Sequence, residues 1–241
     1  MTHNRLRDLL SVGLIDRLDA RDRMLLERRA LIMTSGDQLL PFDPRGWWYA
    51  VPAATYEGLF EALDLHDRFP ITLWEGTDVE ELPWREGALP VCITPELDGW
   101  RLIFGNLVDV IGYDWSDWMG AVERLSAHCG EAQMFYEDNA EGTDIWVVAE
   151  KGRIRRRYTA EDDPEWIGEP LPWEHLRIDD EYFDPDHDHA EPNEGTARAA
   201  YACARLSVDP TALGPATRVR GHGWLALSAP GIGHEDLNSL V

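Results

Sequence analysis

Asp184-Pro185-Asp186-His187-Asp188-His189 sets three carboxylates at alternate positions beside two imidazoles. Such donors suit calcium through oxygen or a transition metal through nitrogen. A calcium loop of the EF-hand type needs glycine at its sixth position and glutamate at its twelfth, and His189 and Gly195 stand there instead. The expected reading is a solvated acidic turn, with metal binding as the alternative. No H-E-x-x-H occurs, and no distant histidine pair adds to the donor set.

Other motifs carry less chemistry. Gly221-His222-Gly223-Trp224-Leu225-Ala226 fits G-x-G-x-x-A, but that fingerprint works only where it joins a strand to a helix, and the residues after Ala226 include Pro230, Gly231 and Gly233. Cys129 falls at a predicted helix C-terminus before Gly130, where the helix dipole disfavours a thiolate. There is no G-x-S-x-G elbow, no S-x-x-K and no Walker loop. Among 45 acidic residues, pairs such as Glu80-Glu81, Asp162-Asp163 and Asp179-Asp180 are not specific for acid–base catalysis. Arg153, Arg155, Arg156 and Arg157 are more distinctive: on a strand Arg155 and Arg157 share a face, and internal pairing with the acidic segment 161–194 is expected.

The elements that must position these residues follow from periodicity and punctuation. Leu6, Leu10, Leu14 and Leu18 are spaced by four, and Asp19 can cap a second helix running through Ile32, so 1–34 reads as a helical hairpin. Residues 35–46 have the glycine, proline and aspartate content of a linker, leaving 47–241 as the main domain. Within it, strands are predicted at 47–51, 90–94, 99–105, 132–137, 144–150 and 153–159, the last two joined as a hairpin through Lys151-Gly152. Helices are predicted at 53–63, 116–129 and 195–206, and the tail from Gly214 reads as loop and short strand. Hairpins dominate, so the fold class is α+β, an antiparallel sheet with a few packing helices and an N-terminal helical hairpin.

GWRLIFGN, LSAHCGEAQMFYED, WVVAEKGRIRRRY, and LSVDPTALG followed by GHGWLAL resemble segments of acidic, Trp-rich proteins common in GC-rich bacteria, over roughly residues 46–228. No reaction is established for that group. The resemblance implies one contiguous domain and no activity.

Charge bounds the partners. Forty-five acids against 22 bases give a net charge of −23, and only one of the bases is a lysine, Lys151. Strong binding to nucleic acid or to an anionic membrane is excluded on these grounds, because either would require a surplus of cationic side chains. Residues 161–194 hold 14 acids against Arg177 alone. Cys92, Cys129 and Cys203 are odd in number and lack a C-x-x-C pair, which argues against both a disulfide framework and a cysteine zinc site. No apolar run reaches spanning length and the N-terminus lacks the apolar core of a signal peptide, so a cytoplasmic location is expected.

Eleven tryptophans complete the picture. Trp100, Trp146 and Trp224 lie in apolar strand patterns and are expected in the core. Trp74, Trp84, Trp115, Trp118, Trp166 and Trp173 lie among acids and turns, where half-exposure is expected. Acidic surface with tryptophan suits a partner bearing Arg and Lys. The expected function is a non-catalytic binding protein that neutralises a basic protein partner, most concretely a bacterial toxin immunity protein. Its partner-binding residues would be Asp162, Asp163, Glu165, Trp166, Trp173, Glu174, Asp179 and Asp180. The alternatives are a metal- or small-molecule-dependent enzyme using the DPDHDH loop, and a scaffold that self-associates as a homodimer through residues 1–34. No cofactor is expected.

Overall fold

Trp47–Pro52 (β1) shows the constraint that organises the chain: its residues are apolar without a break, and almost all of them are buried. Side chains alternate across a strand, so Trp48 and Ala50 enter one core while Trp47, Tyr49 and Val51 enter another on the opposite face. Both faces of the sheet are therefore covered, which is unusual for an antiparallel sheet and removes the polar alternation that would mark a solvated face.

The structure, a computed structural model, describes residues 19–35, 39–44, 46–77, 88–138, 143–160, 165–175 and 199–230. It is α+β, with an antiparallel sheet of 11 strands among those residues. The further strands are His66–Ile71 (β2), Pro90–Ile93 (β3), Glu96–Leu97 (β4), Trp100–Gly105 (β5), Glu131–Asp138 (β6), Thr143–Glu150 (β7), Arg153–Ala160 (β8), Glu165–Ile167 (β9), Val219–Arg220 (β10) and Gly223–Leu227 (β11). Their order is β2-β11-β3-β5-β1-β6-β7-β8-β9, with β4 pairing β5 and β10 beside this path. No helix among the described residues is long and apolar enough to cross a membrane.

The meander β6-β7-β8 forms where it is predicted. Lys151 and Gly152 both adopt positive φ, at 50° and 81°, the pair of conformations that a two-residue hairpin of matching twist requires. Asp98-Gly99 turns β4 into β5 in the same way, with φ of 48° and 94°.

Helices cover both faces. On one lie Ala20–Ser35 (α1), Leu73–Thr77 (α3) and Ala199–Leu206 (α6), which contribute Leu25, Leu73, Ala202 and Cys203 to the first core. On the other lie Leu59–Ala62 (α2), Leu107–Ile111 (α4) and Trp115–Cys129 (α5). The buried residues Met119, Val122, Leu125 and Cys129 of α5 recur at helical spacing, and Gly130 at φ 86° ends it. The expected cap at Asp19 is present: its Oδ1 accepts from the Asp22 amide at 2.9 Å. Helix α1 then lies along the β2 end of the sheet, where Arg28 donates to the Pro70 carbonyl at 3.3 Å and pairs with Glu75, and Arg21 pairs with Asp67 at 3.1 Å. An edge strand is thereby covered.

Some expectations change. The helix predicted over 53–63 is a turn, a 3-10 segment Tyr56–Gly58 and the single turn α2, because Thr55 is held by the Pro52 and Cys129 carbonyls and Asp64 leaves the helix at φ 51°. Strand β2 has no counterpart in the sequence reading, since its first half is partly exposed and charged and Pro70 lies within it. That residue is tolerated because β2 is an edge strand. The tail segment 223–227 is an inner strand, β11, buried at all five positions between β2 and β3. Of the helix predicted over 195–206, α6 is the described part, and the helix expected before Asp19 lies outside the described residues.

Because Leu25 is a core contact of α1, Leu25→Ala should lower unfolding free energy by roughly 2–3 kcal/mol, whereas Met33→Ala on the exposed side should stay within about 0.5 kcal/mol. Urea midpoints of the two variants check this.

Candidate partner-binding surface

The arginine run of β8 is split between the two faces by a bulge. Val148 pairs with Arg156 and Ala149 with Ile154, so Arg155 is the extra residue, and Arg156 and Tyr158 turn into the first core. Arg156 has 3% of its side chain exposed, and Glu174, on the 3-10 turn Pro172–His175, has none. The pair is bidentate: Nε donates to Oε1 at 3.1 Å and Nη2 to Oε2 at 2.6 Å. Arg156 Nη1 donates to the Gly168 carbonyl at 2.6 Å, the Leu171 amide donates to Glu174 Oε1 at 2.7 Å, and the guanidinium lies 4.6 Å from the Trp166 ring. Gly168 at φ 85° permits this closure, since a Cβ there would lie 2.0 Å from the Arg155 carbonyl oxygen.

This pairing is the expected link between the arginine run and the acidic segment. A second link joins Arg157 to Glu165 at 2.5 Å, and Arg155 pairs instead with Glu150. Glu165 and Ile167 of β9 are exposed at the end of the sheet path, and Trp166 between them packs inward against Tyr158 at 4.2 Å and Trp146 at 6.0 Å. Trp173 lies 5.5 Å from Trp146 and 6.0 Å from Tyr201.

The structure thus brings together four of the residues expected to bind a partner and gives them different stations. Glu165 is on the surface, Trp166 and Trp173 are half-buried at the rim of the first core, and Glu174 faces inward as the counter-ion of Arg156. Its orientation was not legible because a short acidic turn offers no periodicity. Asp162, Asp163, Asp179 and Asp180 lie outside the described residues, as do the DPDHDH segment and Trp84. Of the other tryptophans, Trp146 and Trp224 are buried, Trp100 is partly so, Trp74 is 53% exposed, and Trp115 and Trp118 form a half-buried cluster with Trp47.

Other candidate chemistry resolves into structure. Gly221 to Ala226 leads into strand β11 and not a helix, so the glycines have no helix N-terminus to present to a pyrophosphate. No group of three His, Cys, Asp or Glu side chains among the described residues could hold a metal. Burial pushes the Cys129 thiol up to about 11 and the Cys203 thiol up to about 12, which suppresses nucleophilic reactivity at both.

One polar cluster has no counterpart in the sequence reading. Arg101, on β5, points into the second core and is 7% exposed. Its Nη1 donates to the Thr94 carbonyl at 2.6 Å and the His222 carbonyl at 3.0 Å, and its guanidinium lies 4.0 Å from the ring of Tyr56. Burial lowers the Arg101 pKa and raises that of Tyr56. Tyr56 Oη accepts from Trp224 Nε1 at 3.3 Å. The signal was an arginine in the otherwise apolar strand WRLIFG.

No protein-family model, curated protein or solved structure matches the chain. The fold itself defines the class: an α+β protein whose antiparallel sheet is covered on both faces.

Glu174→Ala strands a buried guanidinium and should cost about 3–5 kcal/mol, while Glu174→Leu combined with Arg156→Met should restore much of that loss. Glu165→Ala, at an exposed pair, should cost under about 1 kcal/mol. Urea unfolding of the variants separates the two sites. Stability should also fall as pH rises above the ordinary thiol pKa of about 8.5 and through about 11–12, because the unfolded thiols ionise first and the folded protein holds more protons. Urea midpoints that rose between pH 8 and 10 would contradict this.

Proposed function

We propose that this chain is a non-catalytic binding protein that neutralises a basic protein partner, most concretely a bacterial toxin immunity protein acting in the cytoplasm. The supporting observation is how the cationic side chains are used. Arg21, Arg28, Arg68, Arg155, Arg156, Arg157, Arg218 and Arg220 are each paired with a carboxylate within the fold. Bases consumed in this way leave the surplus behind the net charge of −23 without internal compensation. A field of that sign accelerates encounter with a cationic surface and repels anions.

The mechanism is occlusion. Glu165, with Asp162, Asp163, Asp179 and Asp180, steers the partner and takes the place of its anionic substrate. Trp166 and Trp173 supply aromatic area for Arg and Lys stems. Glu174 contributes indirectly, by holding Arg156 under Trp166 and so fixing the ring.

Capture from the native host at low salt should yield a basic protein. Reversal of Asp162, Asp163 and Glu165 to lysine should slow association by roughly tenfold or more, and added salt should have the same effect, since exposed charges are screened beyond about 10 Å at 0.1 M. Capture unaffected by the triple reversal would sink the proposed face.

A further inference from the structure

The two ends of the sheet path differ. At one, α1 lies along β2, with Arg28 on the Pro70 carbonyl and Arg21 on Asp67. At the other, β9 pairs with β8 alone among the described residues. Successive residues of a strand turn their N–H and C=O groups to opposite sides, so a strand with one neighbour leaves part of that set facing outward. Access to it is open, since Glu165, Ile167, Gly168 and Glu169 are all exposed.

A bare edge is a template for pairing with another chain, and its side chains decide which chain pairs. Ile167 is an exposed apolar residue on this edge. Five of the nine residues 161–169 are acids and none is a base. Two copies of β9 laid side by side would bring two such segments together, and like charges across a strand pair are destabilising. The same charge attracts a cationic strand. The edge is also rigid before anything binds: Trp166 packs on Tyr158 at 4.2 Å, and Arg156, held by Glu174, donates to the Gly168 carbonyl. A strand already in place spares the ordering cost of binding.

We propose that β9 is the docking edge for an extended cationic segment of the basic partner, which adds to the sheet as a further strand. This rests on the reading of the chain as a binder of a basic protein, and states how that partner is held. Main-chain hydrogen bonds to β9 give the affinity, and alternate side chains of the added strand give the selection. On the face of Glu165 and Ile167 an arginine fits, its stem against Ile167 and its head at Glu165, whose Oε2 is engaged by Arg157 and whose Oε1 is open to a second donor. On the opposite face the added side chains meet the half-buried Trp166 rim, which suits apolar residues.

The test uses the full chain labelled with nitrogen-15. The probe is a short peptide alternating arginine with valine, beside the same peptide methylated on every backbone nitrogen. Both carry the same charge and side chains, and only the first donates main-chain hydrogen bonds. It should bind saturably, and about tenfold or more tighter than its methylated twin. It should also slow hydrogen exchange by about tenfold or more at an amide of Glu165, Trp166 or Ile167, with no such change along β2. Equal affinity for the two peptides, no saturable binding, or protection at β2 in place of β9 would each overturn the strand addition. So would protection of β9 that grows with protein concentration in the absence of peptide, because a second copy would then be the occupant. Capture of a basic protein from the host alongside equal peptide affinities would leave the partner reading standing and remove the strand addition.

Discussion

Burial of both faces of one antiparallel sheet is the constraint on which the rest of this structure depends. Strands at the centre of the sheet send alternate side chains into two separate cores and are apolar at nearly every position, as β1, β3 and β11 are, whereas β8 nearer the end keeps exposed arginines. The faces then need independent covers. Helix α5 and its short neighbours serve one, and α1, α3 and α6 serve the other. The N-terminal segment that looks separable by composition is joined to the sheet for this reason: Leu25 is part of the first core, and Arg28 satisfies a carbonyl of edge strand β2.

An arginine turned into either core of this sheet needs partners there. The bulge in β8 adds a residue, leaving Arg155 at the surface and turning Arg156 inward, where its charge is costly to bury unless it is paired. Glu174, the Gly168 carbonyl and the Trp166 ring provide that set, and they draw β9 and the following turn against the sheet. The acidic and aromatic rim proposed to meet a partner thus rests on an interior ion pair. Arg101 sits in the other core, on the Thr94 and His222 carbonyls and against the Tyr56 ring.

Local chemistry in the sequence determined a good part of this molecule. Lys151-Gly152 fixes the β7-β8 hairpin because its two positive φ values suit that turn, Asp19 caps α1, and the spacing of Met119, Val122, Leu125 and Cys129 makes α5 amphipathic. The α+β class and the net charge of −23 need nothing beyond neighbouring residues and a sum. Only the tertiary structure decided which strands are inner, because pairing β11 with β2 and β3 joins residues far apart in the chain and leaves no local trace. It also decided the direction of single polar side chains. Glu165 and Glu174 read alike in a run of acids, yet one is exposed and the other is wholly enclosed, since burial of a charge is settled by the counter-ion that three-dimensional packing brings to it.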